Sequence, residues 1–258
     1  MSSSPSRLSL VDGTSELHAD VWHAHTLASS VVQVVATGQA LLDAQLPGGG
    51  WPVGALTELL QTPGVHSEWR LLAPALARCG TAAVVLVAPP HVPFGPALVA
   101  RGVASQRLLW VHTAVAAQRL WATEQALRCA GVDAVLAWLP QARPDQLRRL
   151  QMAASEYNRL LFVMRPSAAR QESSPAVLRL ALEPGVGGLD RPSDTLHIHI
   201  IKRRGPPLDH AVALAAPHAG LAQLLAAAQW SGPSTGSSSE PSARPVFESY
   251  HALDRTAA

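Results

Sequence analysis

The sequence predicts an α/β protein: a doubly wound, mostly parallel sheet with helices on both faces and a C-terminal β-hairpin extension. Three observations carry this prediction. Short continuous apolar runs recur along the middle of the chain, as strands buried on both faces require. Segments with helical spacing separate those runs, which is the alternation of βαβ units. Beyond residue 164 the texture changes to period two, the signature of half-exposed antiparallel strands.

Taken in order, "ALTELL" leads into Gln61-Thr62-Pro63-Gly64, a strand followed by a breaker. Ser67 and Glu68 then read as an N-cap and first-turn acid ahead of Trp69, Leu71 and Leu72. Ala82–Ala88, Leu108–His112, Ala134–Leu139 and Arg159–Met164 are the further apolar runs. Ala116, Leu120, Thr123, Leu127 and Ala130 repeat at helical intervals up to Gly131, a C′ candidate. Leu147, Leu150, Ala154 and Tyr157 repeat likewise and leave Arg148 and Arg149 outside. "VLRLAL" and "LHIHII" then alternate around "EPGVGGLDRPSD", giving the hairpin. The expected organisation is an N-terminal arm at 1–37, a core domain at 38–228 and a Ser/Pro-rich tail at 229–258 too poor in apolar residues to order itself.

With 258 residues, 48% of them hydrophobic and 15% charged, the chain can bury one substantial core. A net charge of +2 does not demand nucleic acid or an anionic membrane as partner. The start of the chain lacks a charged segment followed by an apolar one, and no apolar run approaches the roughly 20 residues of a membrane span. A cytoplasmic protein with no membrane partner is expected. Cys79 and Cys129 fall in helical segments among apolar neighbours, where buried, inert thiols are expected and a disulfide is not.

A strand, a tight loop and a helix start are the frame on which phosphate-binding loops are built. The pattern G-x-x-x-x-G-K-[ST] supplies glycines that let N–H groups close on phosphate, a lysine for charge and a hydroxyl for Mg²⁺. Here those positions hold Gln61, His66, Ser67 and Glu68, with Gly64 the one glycine of the loop. A carboxylate about 4 Å from a phosphate charge costs on the order of 4 kcal/mol at an effective dielectric of 20. The only lysine of the chain, Lys202, lies in the hairpin. Trp138 stands where a strand-end aspartate would position the metal, and Asp133 precedes that strand as a turn residue. The sequence therefore predicts no ATP chemistry, no cofactor and no enzyme activity.

The approach "LPGGGWPVGALTELL" is similar to the segment entering the phosphate loop of RecA-type recombinases, and the run from Phe94 to Pro140 resembles their next strands. "LRRLQMAASEYNRLLFVM" and "LHIHIIKRRGPP" resemble a later helix and strand and the late hairpin, so the resemblance covers roughly residues 38–216. A RecA-like core whose chemistry is gone resembles the ImuA family of translesion-synthesis-associated proteins, related in character to SulA-like cell-division inhibitors. The resemblance implies a RecA-like fold. It also implies a role in SOS-induced, error-prone synthesis beside the polymerase-like protein ImuB and a replicative-type polymerase subunit. RecA is a second candidate partner; whether DNA is bound directly is left open. Pro89, Pro90 and His91 occupy the place where the water-activating glutamate of RecA-like ATPases would follow its strand. A SulA-like inhibitor of cell division is the alternative from another functional class.

Four further features remain. Lys202, Arg203 and Arg204 end the hairpin as either a solvated terminus or a contact to phosphates or an acidic partner. Phe247, Tyr250 and Leu253 in the tail read as stray apolar residues or as a segment that orders on a partner. Trp51, Trp69, Trp110, Trp121 and Trp138 fall in or beside core elements, with Trp51 either a lid on the sheet or an exposed interface anchor. His197 and His199 share a strand face without a third ligand, so no metal site is expected.

Overall fold

The computed structural model describes residues 33–185 and 195–215. Among them the chain forms one eight-stranded mixed sheet, with helices on both faces, and a small two-stranded sheet. In chain order the elements are β1 (Val34–Val35), α1 (Ala40–Asp43), β2 (Trp51–Pro52), β3 (Ala55–Gln61), α2 (Glu68–Leu76), β4 (Ala83–Val87), α3 (Gly95–Val99) and β5 (Leu108–Val111). Then come α4 (Ala116–Arg128), β6 (Val132–Trp138), α5 (Pro144–Tyr157), β7 (Leu160–Pro166), β8 (Leu178–Pro184), β9 (Leu196–Lys202) and β10 (Val212–Leu214).

The large sheet runs β10-β9-β8-β3-β7-β6-β4-β5. Strands β8, β3, β7, β6, β4 and β5 are parallel neighbours. The β8–β9 hairpin is antiparallel and β10, not anticipated from the sequence, adds a further antiparallel strand outside it. The β1–β2 pair brings Val34 and Val35 into the folded unit, ahead of the expected boundary at residue 38.

Alternation along the strands divides the core into two layers. Leu59, Leu86, Leu136, Phe162 and Leu180 face the α2 side, joined by Leu71, Leu72 and Leu76 of that helix. Leu56, Val85, Val135, Leu161 and Val163 face the other side, against Leu127 of α4 and Leu147, Leu150 and Ala154 of α5. Helix α5 follows its sequence pattern closely: Arg148 and Arg149 are exposed, the Gln146 side chain accepts the Arg143 N–H at 2.9 Å, and Asn158 closes it in the left-handed region at φ 53°.

Several expectations are corrected. Strand β8 is buried throughout Leu178–Leu182 rather than half-exposed, because it pairs with central β3 and is covered on both faces. Strand β5, expected to be buried on both faces, is the sheet's outer strand and exposes Leu109 and Trp110. Trp121 is also exposed, on the outer side of α4. Trp51 is fully buried and meets Phe162 edge-on at 5.3 Å, so neither exposure nor an interface role holds for it. Cys129 is exposed at the end of α4, not buried. Cys79 follows α2 in a turn, where burial raises its thiol pKa. Asp133 lies inside β6, accepting the Ala82 N–H at 2.7 Å and pairing with Arg107 at 3.2 Å.

Candidate functional site: the cleft at the strand ends

In open parallel sheets, ligands sit outside the carboxyl ends of the strands, where successive connections leave for opposite faces. That condition is met beside β3: its chain continues through α2 to β4, whereas β7 leads to β8 on the other side of β3. A cleft of about 530 Å³ opens there. The loop Thr62–His66, Pro89 and Pro90 after β4, His112 and Thr113 after β5, Arg119 of α4, and Trp138, Met164 and Arg165 line it.

The sequence-predicted loop residues come together on one side of this cleft. Gln61, the last residue of β3, turns its side chain into the loop. Its Oε1 accepts the Ser67 N–H at 2.8 Å and its Nε2 donates to Glu68 Oε2 at 3.0 Å. The N–H of the N-cap residue, one of the donors at the mouth of α2, is thus taken by the chain itself. Ser67 holds the N-cap position without a side-chain capping bond. Glu68 is buried in the first turn of α2, where a carboxylate favours the positive end of the helix, and His66 Nδ1 lies 3.7 Å from it. His66 in turn stacks edge-on with His91 at 4.7 Å. Gly64 has φ +82°, yet a Cβ there would meet nothing within 4 Å. The positive φ is what calls for a glycine at this turn.

Trp138 closes the floor at the end of β6, tilted against Trp69 with ring centroids 6.5 Å apart. Ala88, which follows β4, is held at φ 51° and donates its N–H to Val111 O at 2.8 Å. Phe247, Tyr250 and Leu253 lie outside the described residues.

Beside the cleft lies a group of residues that sequence reasoning missed. Glu58, in the middle of β3, is completely buried between Arg165 of β7 and Arg179 of β8. Arg165 Nη1 donates to its Oε1 at 3.2 Å and Arg179 Nε to its Oε2 at 2.5 Å. The guanidinium groups also reach backbone carbonyls of Ala142 and Ala169 and the Glu172 carboxylate. Single charges inside "LTELLQ", "LFVMRP" and "VLRLAL" were the available signal; that the strands are neighbours was not readable.

The basic end of the hairpin is engaged locally. Lys202 Nζ donates to Ser174 O at 2.9 Å, and Arg203 to the carbonyls of Pro206 and Gln45. Arg204 is exposed. These contacts tie the end of β9 to the loop before β8 and to the turn after α1, a structural role the sequence did not suggest.

A mixed, mostly parallel α/β sheet with helices on both faces and a cleft at the carboxyl ends of its strands defines the class of protein. No family model matches the sequence. The cell division inhibitor SulA of Photorhabdus laumondii is 31% identical over 134 residues, spanning 51% of this chain and 68% of that protein. The chain belongs to the SulA family.

Proposed function

We propose that this protein is a non-catalytic, RecA-like adaptor of the ImuA kind that acts in SOS-induced, error-prone translesion synthesis. One observation carries the non-catalytic part: the Gln61 side chain satisfies the Ser67 N–H and binds Glu68, so a triphosphate would have to displace a neutral amide and approach a carboxylate. The RecA-like reading draws support from the strand order, in which the loop-bearing β3 lies between β8 and β7 and the strand ending at Trp138 comes next. Freed of turnover, the scaffold serves as a docking body in the cytoplasm for a polymerase-like protein of the ImuB type, with RecA as a second partner. It uses no cofactor. Co-purification with the polymerase-like protein tests this, and deleting residues 231–258 should weaken capture while leaving the core folded. A complex that is never recovered from damage-induced cells would overturn the adaptor reading.

A second reading is favoured by the name of the relative, a cell division inhibitor. In it, the same empty core blocks division by binding a subunit of the division machinery. Overexpression separates the two: filamentous cells without added DNA damage support inhibition, whereas normal division with raised damage-induced mutagenesis supports the adaptor.

A further inference from the structure

We propose that a second cavity, at the end of the sheet opposite the cleft, binds a hydroxyl-rich phosphate monoester such as a sugar phosphate. The sheet order builds it. Strands β3 and β8 both begin there, at Ala55 and Leu178, and antiparallel β9 ends beside them, which delivers Arg203 and Arg204 to the same place. The space is about 360 Å³, within the roughly 300–1,000 Å³ of small-molecule sites. Two guanidinium groups line it and, among the described residues, no carboxylate does.

Charge and donor placement choose the ligand. Arg203 is held in position, its Nε donating to Pro206 O at 2.9 Å and its Nη1 to Gln45 O. Arg204 is exposed and pairs with no other described residue, which leaves its planar fork of donors for an incoming oxyanion. A phosphate monoester carries about −1.5 to −2 charges at pH 7 and so matches two cations, whereas a carboxylate matches one. The facing wall has the opposite polarity. Helix α5 ends there, with Ser155 and Asn158 in the lining, and the partial negative charge of a helix C-terminus disfavours an anion and favours donors. Ser155 makes no hydrogen bond to another described residue. Asn158 spends its Nδ2–H on Gln33 Oε1 at 2.9 Å and keeps its own oxygen as an acceptor. A phosphate against the arginines, with hydroxyl groups turned towards α5, satisfies both walls. The Gln61 loop takes no part, since it follows the other end of β3.

The test is isothermal titration calorimetry of the full chain with ribose 5-phosphate, and with ribose as the phosphate-free control. Ribose 5-phosphate should bind saturably and ribose should not. Arg204→Gln should raise the Kd on the order of tenfold, as loss of a charge-assisted hydrogen bond does. Arg148→Gln removes the same charge from the exposed side of α5 and should leave the Kd unchanged. Single-stranded DNA ending in a 5′-phosphate or a 5′-hydroxyl separates two sources of the same chemistry. Tighter binding of the phosphorylated strand than of ribose 5-phosphate assigns a strand terminus; equal binding of the two strands, weaker than ribose 5-phosphate, assigns a free metabolite. A measurement on the wild type guards against a variant that fails to fold: ribose 5-phosphate should slow phenylglyoxal modification of Arg204, read by peptide mass spectrometry. No saturable binding of either phosphorylated probe, equal binding of ribose and ribose 5-phosphate, or equal weakening by Arg204→Gln and Arg148→Gln would each overturn the proposal.

Discussion

Glu58 and Arg179 sit directly opposite each other in the β3–β8 register, and the Glu58 carboxylate takes the Arg179 Nε–H at 2.5 Å where neither side chain reaches bulk water. Arg165 completes the group from the other flank of β3. Three adjacent central strands are thereby linked through charge as well as through their ladders.

Removing one member of a buried ionic group leaves its partners charged and desolvated, which costs more than the intact group contributes. Glu58→Ala, stranding two guanidinium groups, should destabilise the fold by about 3–5 kcal/mol. Urea unfolding measures this, and a loss below about 1 kcal/mol would show that water enters the site and solvates the arginines.

Gln61→Ala should cost about 1–2 kcal/mol, because the Ser67 N–H and a buried Glu68 oxygen lose their partner. The variant should still not bind fluorescent Mg-ATP, since Glu68 remains at the mouth of the helix. Tight ATP binding by the wild type would contradict the proposed non-catalytic role.

Trp51 fills the core against Phe162, so Trp51→Ala should lower stability by about 3–5 kcal/mol. Met152→Ala, on the exposed side of α5, should stay within about 0.5 kcal/mol of wild type. Thermal unfolding of both variants gives the comparison.

The two thiols should differ in reactivity. Cys129 is exposed, whereas burial pushes the Cys79 thiol above its ordinary value, opposed in part by its hydrogen bond from Arg107. A thiol-specific reagent at pH 8 should therefore label Cys129 first, and mass spectrometry of the modified peptides reports the order. Because the folded state holds the Cys79 proton more tightly, this contribution to stability is full below the unfolded value of 9.0 and is lost as pH rises through the higher folded one.

Sequence alone determined the elements whose signal is local. The apolar runs became β3 to β7, the three- and four-residue spacing of Leu147, Leu150 and Ala154 fixed the inner face of α5, and the missing lysine and glycines marked the loop as unlike a phosphate site. Tertiary structure decided what depends on lateral order. An apolar run reads the same at the centre of a sheet as at its edge, so "LLWV" gave no hint that β5 would be an outer strand while β8, which carries Arg179, would be buried. Likewise, Glu58, Arg165 and Arg179 lie up to 121 positions apart, and only the β8-β3-β7 adjacency brings them together. Strand period is written into neighbouring residues; strand order is settled by how the helices between them pack.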